Sequence, residues 1–175
     1  MKKTILIILA VVIPMVVAAQ SSPLGKIFDK YSGKDGYTSV CVSKAMFELF
    51  ATIADDKEDK DFKDITNKLN SIKILSCETK NSTNPGDAFY REMVRALSLP
   101  DYEDLMVIKD GTEEIKFIIR RNADKINELI MIVGGSDACL IALDGEINLK
   151  QVAKLSKSMN LKGFEHLNNV GAKAN

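Results

Sequence analysis

The sequence predicts an α+β fold: a single two-layer domain in which a mixed or largely antiparallel sheet of about six strands carries amphipathic helices on one face. Three observations support this. From Asp104 to Ile147 the chain runs in short segments rich in β-branched and apolar residues, broken by turn signals. Before that, strand-like runs alternate with segments whose apolar residues recur every three or four positions. At 175 residues the chain supports one substantial core rather than two.

The first segment stands apart from the domain. Lys2 and Lys3 precede a run of fourteen apolar-dominated residues, "TILIILAVVIPMVV", which ends at small residues before Gln20. A spanning helix needs about 20 apolar residues to cross about 30 Å of hydrocarbon, and Pro14 interrupts this shorter run. The expectation is a cleaved signal peptide over residues 1–19, a single domain over 20–163 and a frayed tail over 164–175. An uncleaved anchor is the alternative. No cysteine precedes Cys41, so the cleavage point lacks the thiol that lipid attachment requires. The expected location is therefore periplasmic or secreted, without a stable membrane span after cleavage.

Within the domain, Ser22 and Pro23 start a short helix over Leu24–Tyr31 that Gly33 stops. Residues 37–43, "YTSVCVS", read as a strand and run directly into a helix with Met46, Phe47, Leu49, Phe50 and Ile53 on one face. A charged stretch then leads into a helix whose apolar positions are Phe62, Ile65 and Leu69. It carries many carboxylates but no glycine, which a calcium-binding EF-hand loop needs for its turn. "SIKILSCE" is the second strand. In "NPGDAFYREMVRAL", Asn84 is the expected N-cap, Pro85 fills the first helical position and Phe89, Met93, Ala96 and Leu97 form the apolar face.

Four strands follow as an antiparallel meander. Asp110–Gly111 marks one hairpin and Gly134–Gly135–Ser136–Asp137 another reversal. Gly36, Gly111 and Gly145 each follow an aspartate, which suggests the same turn chemistry three times. Val107, Ile115, Phe117, Ile119, Leu129, Met131, Val133, Leu140 and Leu143 are expected to supply much of the sheet's buried side. A last helix carries Leu149, Val152, Leu155 and Met159 on one face, capped by Asn148.

The composition excludes more than it assigns. The 24 basic and 24 acidic residues become 22 and 24 once Lys2 and Lys3 are removed, so neither nucleic acid nor an anionic membrane has reason to attract the mature chain. The single histidine, His166, cannot build a histidine-rich zinc site, and it lies outside the firm periodic elements. The glycines lack the spacing of a dinucleotide or phosphate loop. Three cysteines leave one over: a Cys41–Cys77 or Cys77–Cys139 bridge and three free thiols all remain open, and there is no CxxC pair.

Two polar groupings are worth locating in the fold. Asp101, Glu103 and Asp104 cluster in "LPDYEDL" at the mouth of a strand, and Arg120 and Arg121 could grip an anion, although strand alternation turns at least one outward. Tyr31, Tyr37, Tyr90 and Tyr102 fall on different elements. No catalytic, cofactor-binding or metal-ligating residue is assigned.

The exported N-terminus, "YTSVCVSKAMFELF", "IKILSCE" and the closing "LIALDGEINLKQVAKL" resemble the DUF4252 family of small exported Bacteroidetes proteins, over roughly Leu24 to Met159. The resemblance implies no known activity and transfers no functional residue. Many members look like lipoproteins, a pattern from which this chain departs. The expected function is a non-enzymatic envelope binding or interaction module with a protein partner. The alternative is a periplasmic hydrolase or small-ligand enzyme using carboxylates or arginines.

Overall fold

The computed structural model describes residues 22–53, 60–78, 85–111, 113–150 and 152. The expected signal peptide, Asn84, the expected continuation of the last helix beyond Val152, His166 and the expected tail lie outside these residues. In chain order the elements are α1 (Pro23–Tyr31), β1 (Tyr37–Ser43), α2 (Lys44–Ile53), α3 (Lys60–Thr66), β2 (Leu69–Cys77), α4 (Pro85–Leu97), β3 (Glu103–Asp110), β4 (Glu113–Asn122), β5 (Lys125–Val133) and β6 (Cys139–Ile147). The six strands form one open sheet in the order β1-β2-β6-β5-β4-β3, every neighbouring pair antiparallel.

Local chemistry explains the helix starts. Ser22 caps α1 by accepting a hydrogen bond from the Gly25 amide at 3.0 Å, and Pro23 occupies a position whose amide would have no helical partner. At the C-terminal end, Asn148 Oδ1 accepts from the Lys150 amide at 3.0 Å, the cap expected there. Gly111, at φ 58°, makes the expected β3–β4 reversal.

The order of strands follows from two kinds of connection. Hairpins join β3, β4, β5 and β6 side by side. The link from β2 to β3 must instead carry the chain past three strands to the far edge, and α4 makes that crossing over one face of the sheet. Phe89, Met93 and Leu97, four residues apart on α4, bury into that face beside Leu24, Ile27, Phe28 and Tyr31 of α1. Each such fully buried side chain contributes about 1.5–3 kcal/mol of transfer free energy.

Face membership can be read from register. Val40, Ile74, Ile141, Met131, Phe117 and Met106 stand in one row across all six strands, on the face opposite α1 and α4. The apolar runs in β4 to β6 are continuous rather than alternating, so both faces of the sheet's centre are apolar. The amphipathic layer of α1 and α4 is as expected. The core residues Phe117, Ile119, Leu129, Met131 and Leu143 are buried too, but against the other face, where Phe47 of α2, Ile65 of α3 and Val152 join them. Leu140 belongs to the α1–α4 side, and Val107 is 44% exposed on β3.

Two sequence expectations change. Leu69 opens β2 rather than extending α3, which ends at Thr66 with a turn over Asn67 and Lys68. Gly145 is not a turn glycine: it lies inside β6, at φ 143°, opposite a register shift in β2. A Cβ there would sit 2.3 Å from the Lys68 carbonyl oxygen, so the bulge exists because two backbones meet where only glycine fits.

Candidate interaction surface

The acids and arginines singled out in the sequence are drawn into internal pairs. Asp104 pairs with Lys116 at 2.8 Å and Glu103 with Arg121 at 3.4 Å, both bracing β3 against β4, while Asp101 is exposed outside these pairs. Arg120 turns toward Glu128, only 3% exposed, whose Oε2 accepts from Arg120 Nε at 3.0 Å and from Tyr102 Oη at 2.7 Å. Burial first, and then the carboxylate it donates to, push the Tyr102 phenol well above its usual range. The hydrogen bond to Glu128 raises Arg120 further. Such a triad ties two strands, β4 and β5, to the loop that leads into β3; its polar atoms are turned on one another.

The tyrosines are brought together more than their spacing suggests. Tyr31 and Tyr37 lie 4.6 Å apart between ring centroids, and both pack on Phe89. Tyr31 Oη donates to Glu92 Oε2 at 2.6 Å, tying α1 to α4, and Lys30 pairs with the other oxygen. Lys30 first, then Tyr31, hold the Glu92 carboxyl below the usual range.

Among the described residues, shallow depressions flank the core. One, of about 330 Å³, lies between α1 and α4 and includes Lys26, Ile27, Ala96 and Leu99. Another, of about 390 Å³, lies at the β4–β5 turn and the start of the last helix. Its Lys68, Arg121 and Lys125 are already matched, Arg121 by Glu103 and both lysines by Glu146.

All three cysteines are free. Cys77 and Cys139 sit one step out of register on neighbouring strands and therefore point to opposite faces. Cys41 shares the Cys77 face but stands four residues along from the Tyr37–Cys77 pair. Burial pushes the Cys139 thiol up to about 11, so it stays protonated and inert at neutral pH.

The feature that sequence reasoning missed is apolar surface left outside the core. Of the α2 positions expected to be buried together, Phe47 is buried, whereas Met46, Leu49 and Phe50 are 43%, 53% and 43% exposed; the side chain of Ile53 lies outside what is described. Spacing of three and four residues puts those three on one side of the helix. Val40 on the adjacent β1 edge is 43% exposed as well, and Thr38, Ser39 and Cys41 beside it are open to solvent. Apolar residues at 46, 47, 49 and 50 make an ordinary amphipathic stripe, so the sequence carries no signal that separates Phe47 from the three left outside. Contiguous apolar surface of this kind marks a site of association more often than scattered exposed residues do.

Among the described residues no helix is long and apolar enough to cross a membrane. The family described as a domain of unknown function, DUF4252, matches residues 31–155, and the chain belongs to that family. No curated protein and no solved structure matches it.

Proposed function

We propose that this DUF4252 protein is an exported, non-enzymatic interaction module that meets a protein partner in the cell envelope through α2 and the β1 edge. The observation that carries the reading is the stripe of Met46, Leu49 and Phe50 beside the uncovered strand at Val40. The internal pairing of Glu103, Asp104, Arg120 and Arg121 supports it, because those are the groups a carboxylate- or arginine-based enzyme would need free. Export is the reading that the short apolar N-terminus favours.

A photo-cross-linking residue in place of Leu49 tests the surface in cells, with Arg95 on the exposed side of α4 as the control. The expected result is a discrete protein adduct from position 49 and none from 95. Equal labelling at both positions, or no adduct at 49, overturns the reading. The mass of the protein in the soluble envelope fraction tests export: it should correspond to Gln20–Asn175, and retention of residues 1–19 would make the N-terminus an anchor.

A further inference from the structure

We propose that the partner of the β1 edge is a second copy of this chain, paired strand to strand about a two-fold axis at Val40. This rests on the interaction-surface reading above and names the occupant of that surface. Exposed sheet edges are ready templates for another strand, and proteins usually blunt them with charge, proline or a bulge. β1, "YTSVCVS", contains no charged residue and no proline, and it pairs with β2 without a register shift.

The outward hydrogen-bonding groups of β1 can be identified. The Glu78 amide donates to the Gly36 carbonyl at 2.8 Å, in the register that continues Tyr37↔Cys77. Bonded positions alternate along an antiparallel pair, so Thr38, Val40 and Val42 address β2. On the other side of β2, the Cys77 amide donates to Ala138, which places the odd-numbered residues of β2 toward β6 and confirms the alternation. Ser39 and Cys41 therefore direct both backbone amide and carbonyl toward the edge that no described strand covers.

An antiparallel second copy centred on Val40 satisfies those groups reciprocally. Ser39 meets Cys41 of the second copy, and Cys41 meets its Ser39, with amide and carbonyl exchanged at each pair. On the face shared with α2, Val40 stands against its own equivalent and Thr38 against Val42, combinations of β-branched side chains that favour cross-strand packing. Because the axis is normal to the sheet, the two α2 helices and their apolar stripes remain on the same side. Isologous contact of this kind closes on itself as a dimer.

The register predicts a cross-link. Val40 and its equivalent form a non-hydrogen-bonded pair, with Cα atoms about 4.5 Å apart, within disulfide reach. The two Cys41 residues would lie about 8 Å apart, from strand rise and spacing, which is beyond that reach. Under mild oxidation the full mature chain carrying Val40→Cys and Cys41→Ser should form a covalent dimer at least about tenfold faster than the wild-type chain with its native Cys41.

Sedimentation equilibrium supplies a readout independent of thiols. Wild type should show a monomer–dimer equilibrium, and Val40→Lys, which sets two like charges face to face, should weaken it about tenfold or more. A chain that stays monomeric throughout, or a dimer indifferent to Val40→Lys, overturns the pairing. If such a chain still yields a discrete adduct with a different protein from position 49, the interaction-module reading stands while the self-pairing fails.

Discussion

The two edges of the sheet differ in nearly everything except the exposure of their valines. Val40 on β1 is 43% exposed and Val107 on β3 is 44% exposed. Yet β3 begins and ends in charge, with Glu103 and Asp104 at one end and Lys109 and Asp110 at the other, and a register shift falls between Asp104 and Met106. Asp104 and Glu103 are bound to Lys116 and Arg121 of the next strand. β1 has neither charge nor bulge, and the helix that follows it, α2, keeps Met46, Leu49 and Phe50 exposed. The difference teaches that exposure alone does not make a docking edge: β3 is built to reject another strand, whereas nothing in β1 does so.

The largest expected effects come from breaking the attachments that hold each edge to the sheet. Arg120→Met leaves the buried Glu128 carboxylate with Tyr102 as its remaining partner among the contacts described above, and should cost about 3 kcal/mol in a urea unfolding titration. A loss below about 1 kcal/mol would show that water reaches Glu128 freely. On the β1 side, Gly145→Ala forces a Cβ onto the Lys68 carbonyl and a side chain into a left-handed backbone. It should cost about 2–3 kcal/mol and lower amide-exchange protection at the start of β2 before that of β4. Unchanged protection there would mean that the bulge can slide.

Next in size is the direct comparison of edges. Val40→Lys and Val107→Lys should each change the stability of the folded chain by no more than about 0.5 kcal/mol, since both sites are open to solvent. Only the first should alter self-association. Equal loss of dimer from both variants would erase the distinction between the edges.

The smallest effect concerns the α1–α4 contact, which neither edge shares. The Glu92 carboxyl is held below its usual range by Lys30 and Tyr31. A depressed folded value means that the stabilisation is present above the unfolded value of about 4.3 and is lost as pH falls through the lower folded one. Both side chains of the Lys30–Glu92 pair are substantially exposed, so screening keeps its worth under about 1 kcal/mol. Glu92→Gln should flatten the decline of Tm below about pH 4 while leaving dimerisation unchanged. A decline as steep as wild type would assign the acid sensitivity to other carboxylates.

Local chemistry made much of this legible beforehand. β1 occupies the expected residues, and the order of strands and helices along the chain is the expected one. Ser22, Pro23 and Asn148 cap where short-range rules place them. What escaped depends on pairs distant in sequence. Arg120 and Arg121 look like an anion grip until register sets one beside Glu128 and the other beside Glu103. Gly145 looks like a turn residue until the Lys68 backbone arrives against it. Tyr31 and Tyr37 look separate until Phe89 gathers them.

By itself, then, the sequence determined the elements, their types and the absence of a recognisable reactive motif, because periodicity, caps and turn residues act within a few positions of the chain. Only the tertiary structure decided which strand lies at an edge and which apolar residues find no room inside. Both depend on strand order and on which face each element packs against. Val40, Met46, Leu49 and Phe50 are apolar in the sequence in the same way as Phe47; that Phe47 is buried while the other four stay exposed is a property of the folded chain.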